Sequence, residues 1–157
     1  MHRIHVIAVG RLGEPHWHAA QEEYLKRLTA YAKVTVAEIP ERRADTAGGI
    51  QGALAAEAKD ILAVIPPKAT VAVLNVKGSR MDSLSFARAI DGVGLRGGGA
   101  LCFIIGGSHG MHVSVDKSAD MILSMSDMTM PHALARVFLL EQIYRSFTVL
   151  RGGKYHK

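Results

Sequence analysis

At 157 residues, with 48% hydrophobic and 21% charged side chains, the chain has the size and balance of one globular domain able to bury a core without disulfides or metals. Its single cysteine, Cys102, excludes an intramolecular disulfide, and no window approaches the roughly 18 apolar residues of a membrane span. The opening Met1–Gly10 run is too short and too soon interrupted for a signal peptide, so a cytoplasmic protein without membrane contact is expected.

The formal net charge is +5. Between Pro131 and Lys157 the cations Arg136, Arg145, Arg151, Lys154 and Lys157 stand against Glu141 alone, and Arg42 and Arg43 form a second basic pair. A cluster of that kind points towards nucleic acid.

Ile4–Val9 reads as a strand, closed by Gly10. A helical pattern follows from about Glu14 to Ala32, with Tyr24, Leu25 and Leu28 at three-to-four spacing. Val34–Ile39 is a second strand, ended by Pro40, and residues 41–49 form a polar loop. Ile50–Ile65 carries Leu54, Ala58, Ile61 and Leu62 on one helical face and stops at Pro66 and Pro67. Thr70–Val76 is a third strand, ended by Lys77 and Gly78. A helix from Asp82 or Ser83 to Gly92 leads into a glycine-rich turn at 94–99.

Leu101–Ile105 is a buried fourth strand by length and composition, Val113–Ala119 a short helix, Met121–Ser124 a brief fifth strand, and Ala133–Thr148 a final helix. Strands alternating with helices imply an α/β fold with a largely parallel sheet covered on both faces. One domain spanning residues 1–157 is expected.

Two segments of the C-terminal third read as parts of one site. The first is Leu101–Gly110 (LCFIIGGSHG), an apolar strand that breaks into Gly106, Gly107 and Gly110. Ligands of open α/β sheets bind at that carboxyl edge, and glycines there permit close backbone approach or positive φ. The second is Met125–His132 (MSDMTMPH), which runs straight into the last helix. Met121, Met125, Met128 and Met130 cluster in an irregular segment, where they suit an apolar wall against a flat ligand.

The glycine run is not GxGxxG and lacks the GK[ST] of a phosphate loop, so a dinucleotide or nucleotide-triphosphate site is disfavoured. Adjacent Ser108 and His109 rarely aim at each other, and no partner acid is evident for a hydrolytic triad. The pairs His2/His5 and His16/His18 come without a cysteine cluster or HExxH spacing, so no metal is expected.

The strand running into IGGxxG, then SxMTMPHxLxRVxLxEQIYR, then a terminal Tyr-His resembles the SPOUT methyltransferases. More narrowly, it resembles the bacterial large-subunit rRNA methyltransferase H family, over the whole chain and most specifically at residues 104–110 and 129–145. That resemblance implies a parallel-sheet SPOUT fold with a C-terminal trefoil knot, the knot and cofactor site lying within about residues 70–157. It further implies S-adenosylmethionine as methyl donor, a homodimer, and methylation of N3 of a pseudouridine in large-subunit (23S) rRNA of the assembled ribosome.

The cofactor positions it implies are Leu74, Gly106, Gly107, Met125, Ser126, Asp127, Met128, Thr129 and Met130. Candidates for work at the target base are His132, Arg136, Tyr155 and His156. Arg136, Arg151 and Lys154 are expected to meet phosphates. This chain carries Asp127 where a small apolar residue is common, and Lys154 where proline usually precedes the tyrosine. Val137, Phe138, Leu140, Ile143, Tyr144 and Phe147 give the last helix more apolar surface than one core contact needs, which suits a dimer. The alternative is an RNA-binding module of the same fold that keeps the cofactor pocket without catalysis.

Overall fold

The computed structural model describes residues 1–45, 48–95 and 99–157, with the backbone alone at 94 and 95. The centre of the expected glycine turn (96–98) and two positions of the expected polar loop (46 and 47) lie outside the described residues.

Five strands, β1 (His2–Val9), β2 (Ala32–Ile39), β3 (Thr70–Arg80), β4 (Leu101–Ile105) and β5 (Met121–Ser124), form one sheet in the order β2-β1-β4-β3-β5. Every pairing is parallel. Parallel neighbours require crossovers, supplied by α1 (Pro15–Leu28), α2 (Gly49–Val64), α3 (Ser83–Leu95) and α4 (Val113–Lys117); α5 (His132–Leu150) follows the last strand.

The two-residue period of the strands sorts their side chains between two cores. Val6, Ala8, Ala72, Phe103 and Ile105 pack with Leu28 of α1, Phe86 of α3 and Leu139, Leu140, Ile143 and Phe147 of α5. Ile7, Val9, Val71, Val73, Cys102 and Ile104 pack with Ala58 and Ile61 of α2 and Val115 of α4. Both faces of the central strands are therefore buried, which is why these strands read as continuous apolar runs. Cys102 is a core residue, and burial pushes its thiol up to about 11.

Two boundaries differ from the sequence expectation for physical reasons. Helix α1 stops at Leu28 rather than Ala32, because the Thr29 hydroxyl caps the Lys26 carbonyl at 2.7 Å and Ala32 must already be extended to pair with His2. Strand β3 does not end at Lys77 and Gly78. It runs on to Arg80, with Leu74 and Ser79 both registered against Leu123 of β5, so that residues 75–78 bulge out of the ladder. A Cβ at Gly78 would stand 2.6 Å from the Ile122 carbonyl oxygen. Glycine is there because the neighbouring backbone passes so close, and not to stop the strand.

Candidate cofactor and catalytic site

The carboxyl ends of β3, β4 and β5 and the first turn of α5 enclose a cavity of about 620 Å³. The strand ends converge here because the sheet is parallel, the edge at which such folds bind ligands. Of the positions expected to hold a cofactor, Leu74, Gly106, Gly107, Met125, Ser126, Met128, Thr129 and Met130 line it, and His132 lines it too.

The wall is largely apolar. Leu74 and Ile105, paired across β3 and β4, form its floor with Met111. The segment after β5 is shaped by its own serines: the Ser124 hydroxyl donates to the Ser126 carbonyl at 3.0 Å, and the Met128 amide donates to the Ser126 hydroxyl at 3.0 Å. That turn presents Met125 and Met130 to the cavity and leaves Met128 78% exposed at its mouth. Asp127 departs from expectation. It does not line the cavity; its carboxylate turns outward to Arg80 at 2.6 Å, both side chains being well exposed. A charge facing water costs nothing in desolvation, whereas an apolar wall would penalise it.

The glycine loop folds on itself. Gly107 and Gly110 form a bridge, the Gly110 amide donates to the Gly107 carbonyl at 3.1 Å, and Gly110 has φ +83°. A Cβ at Gly106 would meet Met111 Cγ at 2.8 Å and the Gly110 oxygen at 2.9 Å; one at Gly107 would meet Val9 Cγ1 at 3.0 Å. Expected to make room for a ligand, these two glycines first make room for their own loop.

Among the described residues, one polar cluster borders the cavity. Glu41, in the loop after β2, accepts from the Ser108 hydroxyl at 2.6 Å and from the Ser108 amide at 3.3 Å. Those bonds, the hydroxyl first, hold its carboxyl below the usual carboxylate range, with His132 and His109 adding weaker attraction. His132, the first residue of α5, approaches Gly10 at the end of β1.

Arg136, one turn further along α5, is fully buried and does not line the cavity. Its guanidinium donates to Glu38 at 2.6 Å, to the Gly10 carbonyl at 2.9 Å and to Gln21 at 3.4 Å. The sequence expectation that it meets RNA phosphates therefore gives way to a positioning role: it ties the ends of β1 and β2 to the helix that carries His132. A buried guanidinium needs such partners, because an unpaired one would be prohibitively desolvated.

The C-terminal residues are ordered against the far end of the same helix. The Gly153 amide returns to the Thr148 carbonyl at 2.7 Å, and Gly152 takes φ +67° to make the turn. Tyr155 then packs edge-on to Tyr144 at 5.0 Å, lies under the Arg145 guanidinium at 4.7 Å and donates to Glu141 at 3.2 Å. Burial, then hydrogen bonding to Tyr24, pushes its hydroxyl up to about 12. His156 approaches Arg145 at 3.5 Å. Arg151 stacks over Tyr31 at 4.7 Å, and Lys154 is exposed.

Glu141 lies nine residues beyond His132, about 14 Å along a helix axis. The chain thus brings His132 to the cavity and leaves Tyr155 and His156 away from it.

Sequence reasoning missed Asn75, Val76, Met111, Pro131 and Ala135 on the cavity wall, and Glu41 beside it. The first two follow directly from Leu74 once the bulge is known. Glu41 belongs to no motif, and no sequence signal links it to Ser108.

The fold and its cavity have counterparts. The family model described as "Predicted SPOUT methyltransferase" matches residues 2–156, and the chain belongs to that family of α/β methyltransferases. Among solved structures, a probable methyltransferase from Bordetella pertussis Tohama I is similar, with a TM-score of 0.61 at 12% identity over 92% of this chain and 94% of that one. A probable methylase family protein from Haemophilus influenzae Rd KW20 superposes with a TM-score of 0.55 at 10% identity, over 99% of this chain and 70% of that one. A probable rRNA-methyltransferase from Porphyromonas gingivalis does so with a TM-score of 0.54 at 13% identity, over 96% and 70%. At such identities the likeness is one of fold.

Proposed function

We propose that the chain is an S-adenosylmethionine-dependent methyltransferase acting on N3 of a pseudouridine in large-subunit rRNA of the assembled ribosome, as a cytoplasmic homodimer with a trefoil-knotted C-terminal half. The observation that carries this reading is the cavity itself. A volume of about 620 Å³ suits a ligand of nucleoside size, and its wall pairs thioether and aliphatic side chains with the exposed backbone of two irregular segments. Adenine needs that combination: apolar faces for its ring and backbone groups for its edge. The residues present therefore fit the donor, which supplies an electrophilic methyl group when bound.

The chain's own contribution is positioning and proton handling. Leu74, Ile105, Met125 and Met130 would hold the donor and exclude water. His132 opens onto the same space and is suited to take the proton that an imide nitrogen must lose to become a nucleophile. Arg136 fixes the helix that delivers it.

The RNA half of the reading rests on the basic C-terminal segment and on the methyltransferase family. The homodimer is favoured by the separation of Tyr155 and His156 from the cavity, since a second copy can bring its own tail to a site that one protomer leaves open. Exposed Leu134 and half-buried Val137 and Phe138 on α5 suit such a contact.

Incubating the protein with unmodified ribosomes and labelled S-adenosylmethionine tests the reading. Label is expected at a single pseudouridine N3 of the large-subunit RNA. Cofactor binding without label transfer would instead mark an RNA-binding module that has kept its pocket.

A further inference from the structure

The amino ends of the strands carry a second charged surface, at the sheet edge opposite the cavity. There β2 is an outer strand, and an open groove of about 490 Å³ is lined by β2 and α1. Leu25 of α1 and Ala32 and Val34 of β2 give the groove apolar walls. Lys26 and Lys33 line it too, and Glu22 is its one carboxylate. Both lysines are exposed, and neither ammonium makes an ion pair or a hydrogen bond among the described residues.

Neighbouring groups extend the positive field. Arg3 stands opposite Lys33 in the register of β1 and β2, and like charges so placed repel. Burial, and then the charges of Arg3 and Lys33, hold the His5 imidazole below its ordinary range. Immediately before β2, the Tyr31 ring lies within 12° of parallel to Phe147 at 5.8 Å, and Arg151 stacks over Tyr31 at 4.7 Å. The exposed Arg151 guanidinium has no carboxylate partner among the described residues, whereas Arg27 and Arg145 are engaged by Glu23 and Glu141.

A guanidinium stacked on a ring holds its N–H donors in a set plane, ready for an oxyanion. Lysines without a carboxylate keep theirs available as well. Cations along an apolar groove suit a polyanion whose charges recur along a chain. The cavity has room for a group of nucleoside size, and the six residues from Lys33 to Ile39 set the groove about 20 Å from the opposite end of the sheet. A long RNA can reach both places, and a single nucleotide cannot.

Resting on the function proposed above, we infer that Lys26, Lys33 and Arg151 hold backbone phosphates of the large-subunit rRNA at a point remote from the target base. The turn between α1 and β2 is then a docking surface that sets the position of the protein on its RNA, as phosphate contacts do, without reading sequence.

Three proteins test this. One is wild type, and the second combines Lys26→Gln, Lys33→Gln and Arg151→Gln. The third combines Lys59→Gln, Arg88→Gln and Lys117→Gln, which removes the same charge from exposed positions of α2, α3 and α4. Affinity for unmodified ribosomes is measured against salt concentration. The first variant is expected to shallow the log–log slope by about two units, at about 0.7–0.9 per phosphate contact, and to bind at least about tenfold more weakly at low salt. The second variant is expected to change the slope by less than about half a unit. Both should bind S-adenosylmethionine within about twofold of wild type.

An unchanged slope in the first variant would overturn the assignment. So would an equal change in both, since the effect would then belong to net charge and not to this surface. Wild type binding vesicles of phosphatidylserine and phosphatidylcholine more tightly than ribosomes, with that binding lost in the first variant, would overturn it in favour of a membrane. Binding is read without methyl transfer, so the two claims separate. A shallower slope without methylation by wild type supports the surface and sinks the proposed function, and methylation with unchanged slopes does the reverse.

Discussion

The two ends of α5 make a useful contrast. At its first turn, His132 opens onto an apolar cavity while Arg136 is sealed beneath it by Glu38, Gln21 and the Gly10 carbonyl. Around its last turns cations stack on rings: Arg145 of the same helix over Tyr155, Arg27 of α1 over Tyr144, and Arg151, just past the helix, over Tyr31. The first end buries a charge to fix backbone. The second keeps its charges nearer the surface, where aromatic faces, and Glu141 for Arg145, orient them. A single helix thus supports a cavity at one end and a basic surface ordered by aromatic rings at the other.

The largest effect that would break this contrast concerns the tail. Deleting Tyr155–Lys157 should lower single-turnover methylation by about a hundredfold or more, because small misplacements of reacting groups carry that cost. Affinity for S-adenosylmethionine, proposed to bind at the other end of α5, should stay within about twofold. Equal loss of both would mean that the two ends are not separate.

Arg136 sharpens the contrast from the buried side. Arg136→Ala should destabilise the fold by about 1–3 kcal/mol in urea unfolding, because it takes a buried donor from the Gly10 carbonyl and Gln21, while Glu38, a third exposed, can turn to water. Lysine should not restore it, since one ammonium cannot reproduce the planar fork that bridges Glu38 and the Gly10 carbonyl.

A comparable loss is expected at the bulge. Gly78→Ala would push a Cβ against the Ile122 backbone, which is 2.6 Å away and has no flexible side chain to move aside. About 1–3 kcal/mol should be lost in thermal unfolding, as for other overpacked sites. Cofactor binding should weaken with it, because Asn75 and Val76 of the same bulge wall the cavity.

Legibility in the sequence followed the same physical lines. Strands β4 and β5 were readable to the residue, because short apolar runs between turn signals have few alternatives. The cavity wall was readable where it coincided with a motif, as at Gly106 and Met125–Met130. It was not readable where long-range contact decided the matter. Gly78 looks like a strand stop in sequence and proves to be a clearance for β5. Arg136 looks like a surface cation, since arginine usually is one, and only the convergence of β1, β2 and α1 shows what it holds. Asp127 sits inside the motif and yet faces Arg80, 47 residues earlier.

The smallest effect is a titration at the aromatic end. Burial raises the Tyr155 hydroxyl to about 12, so its folded neutral form is favoured. Its stabilisation should be complete below the ordinary value of 10.0 and disappear as pH rises through about 12. In ultraviolet titration, one of the four tyrosines should ionise near about 12, and Tyr155→Phe should remove that step.

The most direct measurement is isothermal titration of the protein with S-adenosylmethionine, comparing wild type with Leu74→Arg. Leu74 sits on the floor of the cavity, beside Ile105, where a long cation would occupy the space and find no partner. Wild type should give saturable heat, and a folded Leu74→Arg should bind at least about a hundredfold more weakly, as a charge left unpaired in an apolar site requires. No saturable binding by wild type, or equal binding by both, would contradict the placement of the cofactor in this cavity.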